Sequence, residues 1–196
     1  MNTIQAIETQ YNGYRFRSRL EARWGVFFDT LNVPYLYEPE GFEFDDGVRY
    51  LPDFWLPTWN CWVEIKPQMN QEADDALERL RMLAEQTNTG ALLLAGDVWP
   101  GRTNILHVNR CGAVVDYTRI ADCRRCDGIC LLKTEYDGDI DGTGDSGWGE
   151  IGPHTCGDHE KWPVEGTPRV TGAYRAARQA RFEFGGRRSS ERRPPW

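Results

Sequence analysis

The sequence lacks a long apolar segment, since its longest uninterrupted apolar run extends only from Ala91 to Ala95. A membrane-spanning helix needs about 20 apolar residues, and the first residues have neither the basic start nor the apolar stretch of a secretory signal. We therefore expect a soluble, intracellular protein with no membrane partner.

The sequence also lacks an excess of positive charge, with 23 Lys and Arg residues against 30 Asp and Glu residues and a formal net charge of −7. This total argues against a simple polycationic nucleic-acid binder, but the charge is unevenly distributed. Residues 169–196 contain eight arginines and two glutamates, whereas residues 135–165 contain nine carboxylates and one lysine. The net charge alone therefore does not identify the partner.

The six cysteines do not indicate a disulfide framework, because an intracellular chain keeps its thiols reduced. Four of the six lie between Cys123 and Cys156. Such clustering favours a local metal site over a crosslink of the whole chain.

Hydrophobic periodicity predicts an α/β domain in which a helix, three strands, a helix and a strand follow one another. The predicted helices are Ser18 to Leu31, Asn70 to Thr87, and a basic C-terminal helix from Thr171 to Phe184. The predicted strands are Leu36 to Phe44, Val48 to Trp55, Cys61 to Lys66, Ala91 to Ala95 and Asn104 to Val108. Composition divides the chain into a domain over residues 1–118, a hydrophilic Cys-rich module over 119–166, and the basic helix with a tail, expected to be disordered, over 167–196.

Two neighbouring predicted strands bring charged residues to one point. Asp53 lies late in the second strand, and Glu64 and Lys66 share one face of the third because strand side chains alternate between faces. We expect these side chains to line a cleft, since a charged face is costly to bury. Two neighbouring carboxylates repel each other, and a hard cation such as Mg²⁺ or Mn²⁺ relieves that repulsion. The carbonyl oxygen of Ile65 is a further candidate ligand.

A divalent cation at this point would lower the pKa of a bound water molecule and neutralise charge that develops on a phosphate. Lys66 would hold that water or help to deprotonate it. This combination of residues indicates hydrolysis of phosphodiester bonds.

Pro52-Asp53 followed by Glu64-Ile65-Lys66 resembles the signature of the PD-(D/E)XK nuclease superfamily. The resemblance covers residues 11–97, about half the chain. It implies a restriction-endonuclease-like core with a three-stranded meander, and often a further acid on the first helix, for which Glu21 is the candidate. Glu21 also has a second interpretation, because Ser18-x-x-Glu21 is a capping box that begins a helix.

Basic residues near the first helix and on the C-terminal helix are candidates to bind the phosphates of DNA. They are Arg15, Arg17, Arg19, Arg175, Arg178 and Arg181. For those near the first helix, a solvated basic face is an equally good interpretation.

Cys123-Arg-Arg-Cys126 and Cys156-Gly-Asp-His159 have the spacing of two zinc-binding knuckles. Three thiolates and one imidazole suit a tetrahedral Zn²⁺, which would order a segment too hydrophilic to fold around its own core. We therefore predict a structural zinc-ribbon-like module. The fourth ligand is open among His154, His159 and Cys130.

Taken together, these features predict a Mg²⁺- or Mn²⁺-dependent DNA endonuclease with structural zinc. Asp53 and Glu64 would bind the metal, Glu21 would assist directly or through water, and Lys66 would handle the nucleophile. The resemblance further implies DNA processing, recombination or defence in a phage or mobile element, in the cytoplasm of a bacterial or phage-infected cell. Two alternatives stay open: a non-catalytic nucleic-acid- or protein-binding adaptor on the same fold, and a junction resolvase, which usually acts as a homodimer.

Overall fold

The computed structural model describes residues 6–117, 119–122, 129–132 and 168–182. In these residues the helices are α1 (Arg19–Thr30), α2 (Gln71–Thr87) and α3 (Pro168–Gln179). The strands are β1 (Thr9–Tyr11), β2 (Tyr14–Phe16), β3 (Leu36–Tyr37), β4 (Phe42–Glu43), β5 (Arg49–Tyr50), β6 (Phe54–Leu56), β7 (Cys61–Lys66), β8 (Gly90–Gly96), β9 (Thr103–Val108), β10 (Val114–Tyr117), β11 (Arg119–Asp122) and β12 (Ile129–Leu132).

The centre of the fold is a six-stranded sheet in the order β10-β9-β8-β7-β6-β3. The pair β7 and β8 is parallel because α2 connects the two strands, and the other neighbours in the sheet are antiparallel. β8 is buried on both faces, as its continuous apolar run predicts. The predicted α/β class is thus confirmed as a mixed sheet with three helices in the described residues.

Helices cover both faces of this sheet. Val63 and Ile65 of β7 belong to the core that includes α1 and α3, whereas Trp62 belongs to the core that includes α2. On α3, the ring of Tyr174 packs 4.6 Å from that of Phe27 on α1, measured between centroids. The alternation of faces expected for β7 is therefore observed, and α3 shares its core with α1.

The three predicted strands pair in antiparallel order as β3, β6 and β7, but the predicted bounds of the first two are wrong because the chain leaves the sheet between β3 and β6. The segment predicted as Leu36–Phe44 divides into β3 and β4, and the segment predicted as Val48–Trp55 divides into β5 and β6. β3 and β6 pair within the sheet, while β4 and β5 form a separate hairpin. Glu38 has a left-handed backbone with φ of 44°, and prolines follow at positions 39 and 52. These residues interrupt extended pairing because a proline donates no backbone hydrogen bond.

Several predicted features lie outside the described residues. These are the zinc ligands Cys123, Cys126, Cys156 and His159, the alternative ligand His154, and the tail after residue 182. Cys130 is on β12. In the part of the chain that the structure describes, no helix is both long and apolar enough to cross a membrane.

Candidate active site

Asp53 and Glu64 lie side by side where β6 and β7 meet. Phe54 pairs with Val63, so the preceding residue, Asp53, lies opposite Glu64 on the face shared with Trp62. Side chains in such cross-strand positions have Cβ atoms about 5 Å apart. Both residues are buried, with relative exposures of 2% for Asp53 and 5% for Glu64. Two carboxylates are therefore held close together away from bulk water.

Both oxygens of Asp53 accept hydrogen bonds. The backbone N–H of Ile65 donates to Oδ2 over 2.7 Å, and the Arg17 guanidinium donates to Oδ1 over 2.7 Å. The first donor is fixed by the strand, whereas the second belongs to a side chain that is 54% exposed. Only one of the two bonds thus depends on a side chain that can move.

Glu64 is held by two side chains. The Tyr50 hydroxyl donates to Oε2 over 2.9 Å, and Lys66 Nζ lies 2.5 Å from Oε1. Burial, followed by the negative charge of Glu64, raises the pKa of Tyr50 well above its ordinary value. Tyr50 consequently stays a hydrogen-bond donor. Lys66 lies two residues beyond Glu64, as expected for residues that share a strand face.

Glu21 takes part in capping α1 and in the polar network around Asp53. Its Oε1 accepts a bond of 2.7 Å from the Ser18 hydroxyl, and the Glu21 N–H donates to Ser18 Oγ over 3.2 Å. Its Oε2 accepts from the Tyr37 hydroxyl over 2.6 Å and from the backbone N–H of Arg17 over 3.1 Å. The capping interpretation is therefore observed, with the carboxylate bound to Arg17 N–H instead of Ser18 N–H. Arg17 links Glu21 to Asp53.

Glu38 lies beside Asp53 on the neighbouring strand, just as Asp53 lies beside Glu64. The sequence-based predictions did not include Glu38. Its backbone N–H donates to the carbonyl oxygen of Asp53 over 2.9 Å, and its Oε1 lies 2.5 Å from Arg17 Nε. Tyr37 and Tyr50 were also missed. Their roles depend on how β3 and the β4–β5 hairpin pack near β7, which local sequence patterns do not record. The one sequence feature that could have pointed to Glu38 is that Tyr37-Glu38, like Pro52-Asp53, stands at the end of a predicted or observed strand.

The electrostatics of the site favour a bound cation. Burial raises the pKa of Asp53 well above its ordinary value and the charges of Glu64 and Glu21 raise it further, while the Ile65 N–H and Arg17 oppose the rise. The group contains four carboxylates, Glu21, Glu38, Asp53 and Glu64, and in the part of the chain that the structure describes Arg17 and Lys66 form ion pairs with members of it. With all four carboxylates ionised, the formal excess would be two negative charges, which a divalent cation would balance.

The donor chemistry also fits such an ion. In the described residues, no group of three or more His, Cys, Asp or Glu side chains is arranged to hold a metal. Magnesium, however, is commonly bound by one or two carboxylates, with water and substrate phosphate completing its coordination. Asp53 and Glu64 offer carboxylate oxygens on adjacent strands, and the oxygens bound by the Arg17 and Lys66 side chains can exchange these partners for a cation. The Asp53–Glu64 pair therefore suits Mg²⁺ or Mn²⁺.

The six arginines predicted to bind DNA lie in different surroundings. Arg17 contacts the carboxylates, while Arg15 on β2 is exposed and forms an ion pair with Glu8. Arg19 begins α1, and Arg175 and Arg181 are exposed. Arg178 forms an ion pair of 3.0 Å with Asp97, and its guanidinium lies 4.6 Å from the ring centroid of Trp99. The fold thus places one predicted arginine within the carboxylate group.

An open cleft of about 680 Å³ is lined in part by β6 and β7. Its lining includes Phe42, Trp55, Asn60, Trp62, Thr87 and Thr89. Trp55 and Trp62 are paired across β6 and β7, and their ring centroids lie 4.6 Å apart. This pair is on the same face of the sheet as Asp53 and Glu64, two residues away along each strand. Asp53, Glu64 and Lys66, which we expected to line a cleft, are thus not among the residues that line this one, which extends from the tryptophan pair towards Asn60, Thr87 and Thr89.

Comparisons of the chain with protein-family models, curated proteins and solved structures find no match.

Proposed function

We propose that this protein is a metal-dependent nuclease that hydrolyses phosphodiester bonds in DNA. The observation that carries the proposal is the buried Asp53–Glu64 pair, with Lys66 on the same face and a formal excess of two negative charges around it. Arg17 and Lys66 pair with these two carboxylates, but Glu21 and Glu38 add negative charge that the two cations do not balance, which is unfavourable in a buried site without a further cation. A hard divalent ion compensates the charge and supplies the chemistry that phosphodiester hydrolysis needs.

The order of elements supports a restriction-endonuclease-like core. α1 precedes the strands that carry Asp53 and Glu64, α2 follows them, and β8 then pairs in parallel with β7. The PD-Xn-EXK spacing coincides with the ends of β6 and β7, where the two strands present their carboxylates together. The superfamily assignment belongs to the same proposal.

Each residue of the site has a proposed role. Asp53 and Glu64 would hold the divalent ion, which when bound would lower the pKa of a water molecule and neutralise charge on the phosphate. The Ile65 N–H and the Tyr50 hydroxyl orient these two carboxylates. Lys66 contacts Glu64 and is partly exposed, so it can hold the attacking water by a hydrogen bond. The carbonyl oxygen of Ile65 would be a further ligand of the ion.

Glu21 is proposed as a positioning residue. It binds the backbone of Arg17 and the hydroxyl of Tyr37, and Arg17 in turn binds Asp53. The proposal also includes the predicted zinc module, a homodimer, a role in phage or mobile-element DNA processing, and DNA contacts by Arg175 and Arg178 on α3 and by Arg181 just beyond it. They rest on the sequence.

The proposal is tested by incubating supercoiled plasmid, single-stranded DNA and branched junctions with Mg²⁺ or Mn²⁺. We expect wild-type protein to cut at least one of these substrates. Asp53→Asn and Lys66→Ala should each lower the rate by at least about 100-fold, because one removes metal-ligand charge and the other removes a group that acts on the water. Asp45→Asn is the matched control, since Asp45 is exposed on the β4–β5 turn.

The pattern of cleavage separates the alternatives. Preferential cutting of junctions indicates a resolvase. A wild-type protein that shifts DNA in a gel but leaves every substrate intact contradicts the nuclease proposal and favours the adaptor.

A further inference from the structure

The backbone of Arg17 is fixed, whereas its side chain reaches solvent. Its N–H lies 3.1 Å from Glu21 Oε2 and 3.0 Å from the Tyr37 hydroxyl, just before α1 begins. The side chain is 54% exposed, and its guanidinium contacts Asp53 over 2.7 Å and Glu38 over 2.5 Å. Arg17 is thus anchored at one end and can change partners at the other.

Arg17 neutralises the same carboxylate that a divalent cation would need. Asp53 Oδ2 is bound by a backbone N–H of the sheet, so Oδ1 is the oxygen whose partner can be exchanged. Bringing a second cation to this oxygen while the guanidinium stays in place would bring two positive groups together. Arg17 and a divalent ion therefore compete for Asp53.

A substrate phosphate offers Arg17 a better partner outside the carboxylate group. A guanidinium can donate two parallel hydrogen bonds to a phosphate, and this bidentate geometry is among the strongest polar contacts in proteins. Because the side chain is already partly exposed, it can reach such a phosphate without unfolding its anchor.

We infer that Arg17 is an internal counter-ion that leaves Asp53 for a substrate phosphate when a divalent cation binds. This inference rests on the proposed function and adds a coupling between the two ligands. If phosphate draws Arg17 away from Asp53, it strengthens cation binding, and linkage requires the cation to strengthen phosphate binding equally. The free protein then holds the metal weakly, and the full site forms with DNA present.

The experiment measures Mn²⁺ affinity by isothermal titration calorimetry, with and without a short duplex whose linkages are phosphorothioates that resist cleavage. For wild-type protein we expect the duplex to tighten Mn²⁺ binding by about tenfold, within the usual range of coupling between sites. For Arg17→Gln we expect binding about tenfold tighter than wild type without DNA, and less than about twofold further tightening with DNA. The Glu21 contact should survive because it uses the backbone N–H.

Arg49→Gln is the matched control for lost charge. Arg49 is 85% exposed and pairs with Glu43 on the β4–β5 hairpin, so its replacement removes one cation without touching Asp53. We expect this variant to bind Mn²⁺ as the wild type does, with the same effect of DNA.

The outcomes distinguish this inference from the proposed function. If wild type binds Mn²⁺ and Asp53→Asn abolishes binding, but Arg17→Gln binds no tighter than wild type or keeps the full effect of DNA, the counter-ion role is wrong and the metal site stands. If Arg17→Gln and Arg49→Gln bind Mn²⁺ more tightly than wild type by the same factor, the counter-ion role of Arg17 is also wrong, because the change in net charge then accounts for the whole effect. A wild-type protein that binds no Mn²⁺ with or without DNA overturns both proposals.

Discussion

His107 illustrates how a single buried group makes stability depend on pH. It lies on β9 with a relative exposure of 3%, and burial lowers the pKa of its imidazole to about 4 from an ordinary value of 6.5. The unfolded chain therefore takes up a proton at a higher pH than the folded protein does. Stability linked to His107 is fully present above about pH 6.5 and is lost as the pH falls towards 4.

We predict that acidification across this range lowers the free energy of unfolding by up to about 3 kcal/mol through His107. The measurement is urea unfolding at several pH values for wild type and His107→Gln. The variant is expected to be less stable at pH 7 but to lose less stability between pH 6.5 and 4. Parallel curves for the two proteins would show that His107 does not carry the effect.

At the scale of elements, the connection between β8 and β9 requires a particular glycine. Gly96 has φ of 121°, and a Cβ added there would lie 2.2 Å from the backbone oxygen of Arg102. Gly101 in the same connection has φ of 72°, but a Cβ there meets nothing within 4 Å. The two glycines therefore separate backbone strain from a steric clash.

We predict that Gly96→Ala lowers the free energy of unfolding by at least about 2 kcal/mol, since strain and a clash with backbone add together. Gly101→Ala should cost about 1 kcal/mol from strain alone. Thermal and chemical unfolding of both variants measures the difference. Equal losses would show that the loop relaxes around the new methyl group at Gly96.

The helices and strands also differ in how well the sequence predicts them. The helices α1 and α2 and the strands β7, β8 and β9 follow periodic patterns, and their observed bounds lie within one residue of the predicted ones. The helix α3 is displaced, since it spans Pro168–Gln179 where Thr171 to Phe184 was predicted. The hairpin of β1 and β2 was missed, although Asn12-Gly13 is the typical two-residue turn with positive φ at both positions. Its strands have three residues each, too few for an alternating pattern to stand out.

For the whole molecule, the distribution of charge predicts how DNA binding depends on metal. The net charge is −7, and the carboxylate group adds a local negative potential where phosphate would bind. We expect fluorescence anisotropy to show at least about tenfold weaker binding of a phosphorothioate duplex with a chelator than with Mn²⁺.

A double variant gives this prediction its control. Asp53→Asn with Glu64→Gln removes two negative charges from the site and should strengthen binding in the chelator, while abolishing the response to Mn²⁺. Asp45→Asn with Asp46→Asn removes two exposed charges from the β4–β5 turn and should keep the wild-type response. Wild-type binding that is equally tight in chelator and in Mn²⁺ contradicts the prediction.

The sequence by itself determined the main helices, the buried strand β8 and the alternation that places Glu64 and Lys66 on one face of β7. These features depend on neighbours within a few residues, so local periodicity records them. Only the tertiary structure decided that Arg17 and Glu38 meet at Asp53 and that Tyr50 binds Glu64. Such contacts depend on strand register and on the hairpin between β3 and β6, which pack together segments that are distant along the chain.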